Sequence, residues 1–186
     1  TENEQGSPNN IALADGGFVS VWASWRQDGS KFGVYAQRFN SENEKIGDEF
    51  LINSTTFGSQ ENVSVSQLKD GGFIAVWQDD RKDGDGYGIF AQRFEANTAK
   101  VGNEFQVNTT ITGAQLAPRV TGTEDGGFFV SWRSNTSTSH PASCKVIAAL
   151  KPAKPAPIMA TFLSDTNFTR LINHRCHSSN LCRSYR

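Results

Sequence analysis

Three aspartates in one short loop are the residues best suited to chemistry: Asp79, Asp83 and Asp85, interleaved with Gly84 and Gly86. Clustered carboxylates on a tight, glycine-bearing turn are what a hard cation such as calcium selects. The spacing is not that of an EF-hand. An upstream copy of the segment offers only Asp28 and Ser30 at the places of Asp83 and Asp85. A solvated loop whose glycines make turns accounts for the same residues. Calcium is the one cofactor the sequence suggests, with these three aspartates as its ligands.

Other polar residues recur at fixed spacing. Asp15, Asp70 and Asp125 head the tract Asp-Gly-Gly-Phe three times. One acid per copy at a hairpin tip is turn chemistry; a catalytic centre needs an acid, a base and a nucleophile in different roles. Arg38 and Arg93 fall inside a strand, and Glu49 and Glu104 recur on another, so a cross-strand ion pair is expected between them. Phe32 and Tyr87 are repeat-equivalent aromatics suited to holding a sugar ring. Five N-x-[S/T] sequons occur, at Asn53, Asn62, Asn108, Asn135 and Asn167. Asn53 and Asn108 are repeat-equivalent and follow a strand, so exposed loops and glycans are expected there in a secreted eukaryotic context. In the tail, His174-x-Cys176-His177-x4-Cys182 has soft-ligand character, but not the paired spacing of zinc sites.

These residues ride on a repeat of 55 residues, the step from Asp15 to Asp70 and from Asp70 to Asp125. About two fifths of positions are identical between the first two copies, which align without a gap. The copies fall at 5–59 and 60–114, with a partial third at 115–134 and a tail at 135–186. Each complete copy has four strand-like runs. The first is 10–14 or 65–69. Asp-Gly-Gly then signals a hairpin, because glycine supplies the positive φ that tight turns require. The second run, 18–23 or 73–78, is almost continuously apolar (Phe73-Ile74-Ala75-Val76-Trp77), as suits a strand covered on both faces. The third is 32–39 or 87–94 and the fourth 46–53 or 101–108. Four short antiparallel strands with one large aromatic per copy describe a propeller blade. In that reading Trp22, Trp77 and Trp132, with Phe18, Phe73 and Phe128, fill equivalent core positions between blades. A string of small sandwiches is the competing architecture, but 55 residues is short for one.

The motif Asp70-Gly71-Gly72-Phe73-Ile74-Ala75-Val76-Trp77, then Ala91-Gln92-Arg93-Phe94, then Gly102-Asn103-Glu104-Phe105-Gln106-Val107-Asn108 resembles a known repeat type. It is similar to the D-G-G-F-x-V-x-W … G-x-x-A-Q-R-F … G-x-E-F-x-V-N repeats of large secreted or surface-displayed proteins. The resemblance covers residues 5–134 and implies propeller-like or adhesin-like blades, with no shared catalytic residues to carry over. The sialidase Asp box, S-x-D-x-G-x-x-W, is not matched. The third copy departs from the pattern after Trp132.

Composition narrows the rest. The net charge is −1, with one acid (Asp165) and seven bases in the last 52 residues. The acidic repeat region makes nucleic acid an unsuitable partner. No apolar stretch has the length of a spanning helix. All three cysteines and all three histidines lie in the tail, so the repeats rely on packing rather than disulfides. The tail passes through Lys151-Pro152-Ala153-Lys154-Pro155-Ala156-Pro157, a linker composition. Low order is expected from Ser134 onward, as a basic tail, a wrapping segment or an out-of-frame translation. The chain opens partway into a repeat, so a fragment of a larger protein is expected. Two and a half blades cannot close a ring of about four to eight. Self-association, or further blades of a parent chain, would then cover the ends. The function expected is a non-enzymatic extracellular or cell-surface module for adhesion, display or scaffolding. The alternatives are a carbohydrate-binding propeller, contacting a glycan or surface protein, and a fragment of a propeller hydrolase whose catalytic acids lie in missing blades.

Overall fold

The computed structural model describes residues 4–109, 111–135 and 143–149, the last segment and residue 135 as backbone path only. Among the described residues every regular element is a strand. The first sheet is β1 (Gln5–Ala12), β2 (Phe18–Trp25), β3 (Phe32–Phe39) and β4 (Lys45–Leu51), in that order. The second repeats it with β5 (Gln60–Gln67), β6 (Phe73–Asp79), β7 (Gly88–Phe94) and β8 (Lys100–Gln106). The third has β9 (Ala114–Gly122), β10 (Phe128–Asn135) and β11 (Ser143–Ala149). Every pairing is antiparallel between chain neighbours. The fold is a partial propeller: three blades stacked face to face, with the ring open.

The residues that repeat explain the local structure. The Asp-Gly-Gly tract closes each hairpin through an Asx turn, with Gly17 N–H donating to Asp15 Oδ1 (3.0 Å) and Gly72 N–H to Asp70 Oδ1 (3.1 Å). The first glycine takes a left-handed φ (84° at Gly16, 86° at Gly71). The second makes room for backbone: a Cβ on Gly72 would lie 2.4 Å from the Phe94 carbonyl oxygen. In Ala-Gln-Arg-Phe each side chain has a separate task. Ala91 packs in the core. Gln92 Nε2 donates to the carbonyls of Arg93 (2.9 Å), Val101 (3.3 Å) and Gly102 (3.3 Å), holding a bulge in β8. Arg93 reaches the hairpin carboxylate of Asp70. Phe94 stacks on Phe73 with ring centroids 4.8 Å apart. The first blade repeats this set with Ala36, Gln37, Arg38 and Phe39.

Packing between blades follows one rule. Phe73, Ala75, Trp77, Phe90 and Phe94 face the first blade and meet Val19, Val21, Val34 and Ala36. The opposite face of the second blade, with Ile74, Val76, Ile89 and Ala91, meets Phe128, Val130 and Trp132 of the third. Trp77 and Trp132 therefore fill equivalent inter-blade positions, as does the Phe73 and Phe128 pair. Trp22 and Phe18 occupy the same place on the open face of the first blade and are only partly covered. That face is diluted by Asn10 and Ser20, where the second blade has Val65 and Ala75. At the other end Phe129 is 43% exposed, where the inner blades place Val19 and Ile74.

The first strand of each blade lines the inner side of the stack, β5 lying against both β1 and β9. Gly122 on β9 approaches β5 so closely that a Cβ would stand 2.3 Å from the Gln67 carbonyl oxygen. These strands begin earlier than their apolar alternation indicates. Each carries a bulge with a left-handed non-glycine residue at one repeat position, Ser7 (φ 54°), Asn62 (φ 53°) and Ala117 (φ 53°). The extra residue breaks the period of two by which a strand is recognised.

Ordered structure also extends further than the sequence indicates. Asn135 closes β10, and Ser143–Ala149, which the sequence reading leaves to a linker and tail, pairs along β10. Phe128 stands opposite Ala149 and Trp132 opposite Lys145, the places held by Phe94 and Phe90 in the second blade. The third strand thus keeps the gapless repeat register while losing its motif. The proline-rich linker and the His174, Cys176, His177 and Cys182 group lie outside the described residues.

Candidate functional site

Three sets of sequence-derived candidates converge on one rim of the stack. This rim carries the loop between β2 and β3, the loop between β6 and β7, and the links from β4 to β5 and from β8 to β9. The hairpin aspartates and their arginines sit on the opposite rim.

Asp79, Asp83 and Asp85 do not form a cluster. Asp79 ends β6 fully buried, its Oδ1 accepting from the Arg81 N–H (2.9 Å) and its Oδ2 from Gln60 Nε2 (3.1 Å). Burial pushes its carboxyl above the ordinary value, against the lowering effect of those donors. Asp83 lies flat on Gly88, where a Cβ would stand 2.6 Å from its Oδ2, and its Oδ1 accepts from the Asp85 N–H (3.2 Å). Asp85 turns outward and accepts from the Gly113 N–H (3.0 Å). Among the described residues no group of three or more histidine, cysteine or acidic side chains is arranged to hold a metal ion. Asp28 in the first blade repeats the Asp83 turn, accepting from the Ser30 N–H (3.0 Å) and lying on Gly33. The repeating aspartate of this loop therefore shapes a turn.

Asn53 and Asn108 correct a second expectation. Both side chains are buried, not displayed on a loop. Asn53 Oδ1 accepts from the Val34 N–H (2.7 Å), while Nδ2 donates to the Thr55 carbonyl (2.8 Å) and to Gln60 Oε1 (3.2 Å). Asn108 does the same with the Ile89 N–H (2.7 Å) and Gln115 Oε1 (2.9 Å). An amide held on both sides inside the protein leaves no room for an oligosaccharide. The pair Asn53–Gln60, and its copy Asn108–Gln115, is instead the joint between one blade's fourth strand and the next blade's first. Sequence reasoning passed over these glutamines, although Gln5, Gln60 and Gln115 stand in register.

The arginine pairing is also revised. Arg38 and Arg93 bond to Asp15 and Asp70, not to Glu49 and Glu104. A hairpin acid is nearer to the end of the third strand than a residue at the far end of the fourth. Glu49 accepts from Gln27, and Glu104 pairs with Lys82 and accepts from the Ser54 N–H (2.5 Å). Tyr87 donates its hydroxyl to Glu61 Oε1 (2.8 Å), and burial followed by that carboxylate pushes the phenol's pKa up. Phe32 packs against Trp25 at 4.8 Å, edge to face.

One open cleft of about 600 Å³ opens on this rim, lined by Trp25, Arg26, Gly29, Ser30 and Lys31. Lys31 Nζ bonds Asp80 Oδ2 at 2.9 Å. Burial opposes ionisation of Asp80, but the Lys31 ammonium and the Ser59 N–H outweigh it and hold its pKa below the ordinary value. The Arg26 guanidinium lies 5.7 Å from the Trp25 ring centre.

No family model matches the chain, and no curated protein matches its sequence. Among solved structures it is similar to an endo-arabinase from Bacteroides thetaiotaomicron VPI-5482, with 15% identity and a TM-score of 0.54 over 80% of this chain and 57% of that one. It is similar to a protein of unknown function from Dyadobacter fermentans DSM 18053, with 15% identity and a TM-score of 0.56 over 80% and 52%. It also resembles an endo-1,4-beta-xylanase from Bacteroides thetaiotaomicron VPI-5482, with 12% identity and a TM-score of 0.53 over 86% and 62%. Such identities establish the fold class, an antiparallel blade array of propeller type. The chain spans between about half and three fifths of the length of these structures.

Proposed function

We propose that this chain is a non-enzymatic repeat module of an extracellular or cell-surface protein, serving adhesion, display or scaffolding. One observation carries the reading: most of the polar residues that recur from copy to copy are engaged by partners within the fold. Asp15 and Asp70 close hairpins and hold Arg38 and Arg93. Asn53, Gln60, Asn108 and Gln115 join blades. Gln37 and Gln92 hold bulges. A catalytic centre needs an acid and a base left available to a substrate, and the repeat reserves none. What it reproduces is a stackable blade.

The partner this favours is a further blade of the same kind. Internally, the Trp77 and Trp132 faces are covered by the back of the preceding blade. The Trp22 face has the same strand geometry and, among the described residues, no covering blade. A heterologous contact of this sort either closes a ring or propagates. Asn10 and Ser20 make the open face tolerable in water, so association is reversible rather than obligate.

Sedimentation velocity over a hundredfold range of concentration tests this. A mass that grows with concentration, and a Trp22→Asp variant that stays monomeric, is the expected result. A clean monomer at high concentration, or turnover of glycoside or ester substrates by the purified chain, would overturn it.

A further inference from the structure

Comparison between copies separates residues the fold requires from residues it does not. Trp25 and Phe57 belong to the second kind. The positions equivalent to Trp25 hold Asp80 and Asn135, and the position equivalent to Phe57 holds Thr112. Phe57 is nevertheless 70% exposed, and Trp25 lines the rim cleft. A residue that the blade does not need is free to serve a ligand, and an aromatic ring beside polar groups in a cleft is suited to one.

Trp25 stands in the cleft wall itself, whereas the Phe57 ring lies under the Arg81 guanidinium, 5.7 Å from its centre. Ser30, in the cleft wall, receives a hydrogen bond from the Gly58 N–H at 3.1 Å, next in sequence to Phe57. Trp25 is propped by the edge contact with Phe32 (4.8 Å, 64°). Arg26 adopts a left-handed backbone (φ 61°), which its counterpart Arg81 does not share. Its N–H donates to the Lys31 carbonyl at 2.6 Å, closing the loop and keeping Arg26 beside the indole. The cleft wall contains two cations and no acid. Of the nearby acids, Asp28 accepts from the Ser30 N–H and lies on Gly33, and Asp80 is taken by Lys31 and the Ser59 N–H. Arg26 makes no ion pair among the described residues.

We propose that this cleft binds an acidic saccharide, a uronate-bearing oligosaccharide. The C–H face of one pyranose stacks on Trp25, the mode by which an aromatic ring holds an amphipathic partner. The uronate carboxylate is met by the Arg26 guanidinium, which matches it in a bidentate fork, while Lys31 stays paired with Asp80. Ser30 and the Gly29 backbone are polar groups at the edge of the same site. The site does not depend on association of the blades end to end.

The test is calorimetric titration of the whole chain with trigalacturonate, and with neutral galactotriose as control. Saturable binding of the first, at least tenfold tighter than of the second and weakened by salt, is expected. Trp25→Ala and Arg26→Gln should each raise the Kd more than tenfold with the circular dichroism unchanged. Should Trp25→Ala fail to fold, Trp25→Phe keeps the stacking face and should retain most of the affinity, while Arg26→Gln at an exposed position carries the test. No binding of trigalacturonate, equal affinity for the neutral sugar, or folded Trp25 and Arg26 variants that bind as the parent does would each overturn the proposal.

Discussion

The three repeat-equivalent tryptophans allow one substitution to be made three times with different cover. Trp77 is fully buried between two blades, and Trp132 almost so. Replacing Trp77 by alanine removes its contacts with both blades and leaves an enclosed void, so a loss of about 3–5 kcal/mol is expected. Trp22 makes the contacts of its own sheet but, among the described residues, has no blade on its other side. The space left by Trp22→Ala opens to water, so the cavity contribution vanishes and a loss of about 1–2 kcal/mol remains. Urea unfolding of the three variants at micromolar concentration measures the order Trp77, then Trp132, then Trp22. Raising the protein concentration should increase the Trp22 penalty and leave the Trp77 penalty unchanged, because only Trp22 gains cover from a neighbour. Equal losses at Trp22 and Trp77 in dilute solution would refute the argument, since an open face cannot cost what a closed one does.

Gly72→Ala should lower stability by about 1–3 kcal/mol, because its Cβ meets a backbone carbonyl that cannot swing aside; the urea midpoint reads this directly. Asn53→Ala should cost about 2 kcal/mol by orphaning the buried Val34 N–H and Gln60 at the blade joint, and mass spectrometry of protein secreted from eukaryotic cells should find Asn53 and Asn108 without glycans. Asp79 adds a pH dependence: its folded pKa lies above the ordinary value of 3.8, so the fold binds the proton more tightly than the unfolded chain. Its contribution is therefore full below about that value and is lost as pH rises through the raised folded pKa. The melting temperature of Asp79→Asn, compared with the parent across that window, should show this falling component removed; an unchanged difference at every pH would contradict it.

Much of the architecture was legible because the repeat is written in residues whose spacing the fold constrains. Asp-Gly-Gly marks the hairpin, and the continuous run Phe73 to Trp77 marks a strand covered on both faces. The polar residues were harder to place. Asn53 and Asn108 read as exposed because asparagine favours loops, yet here its amide replaces a missing backbone partner at the end of a strand. Arg38 and Arg93 were given the wrong carboxylate because register across a sheet depends on bulges, and those at Gly47 and Gly102 shift the fourth strand. The aspartates of the loop before β7 looked like a cation site because turn formation and metal binding draw on the same residue types. Trp25 carried a signal that was passed over: in a repetitive sequence, the informative residue is the one that does not recur, and here Asp80 and Asn135 stand in its place.

The bulge at Asn62 has a consequence for how a blade can be cut or extended. In a regular strand, Gln60 and the pair Val63 and Val65 would project to opposite sides. The extra residue turns them to the same side, so Gln60 can grip Asn53 while the two valines join Trp77 in the core. Shortening the chain by that single residue would straighten the strand and force a choice between its hinge and its oil. A library of grafted or shuffled blades would therefore tolerate changes of side chain at Ser7, Asn62 and Ala117 far better than a change of length there.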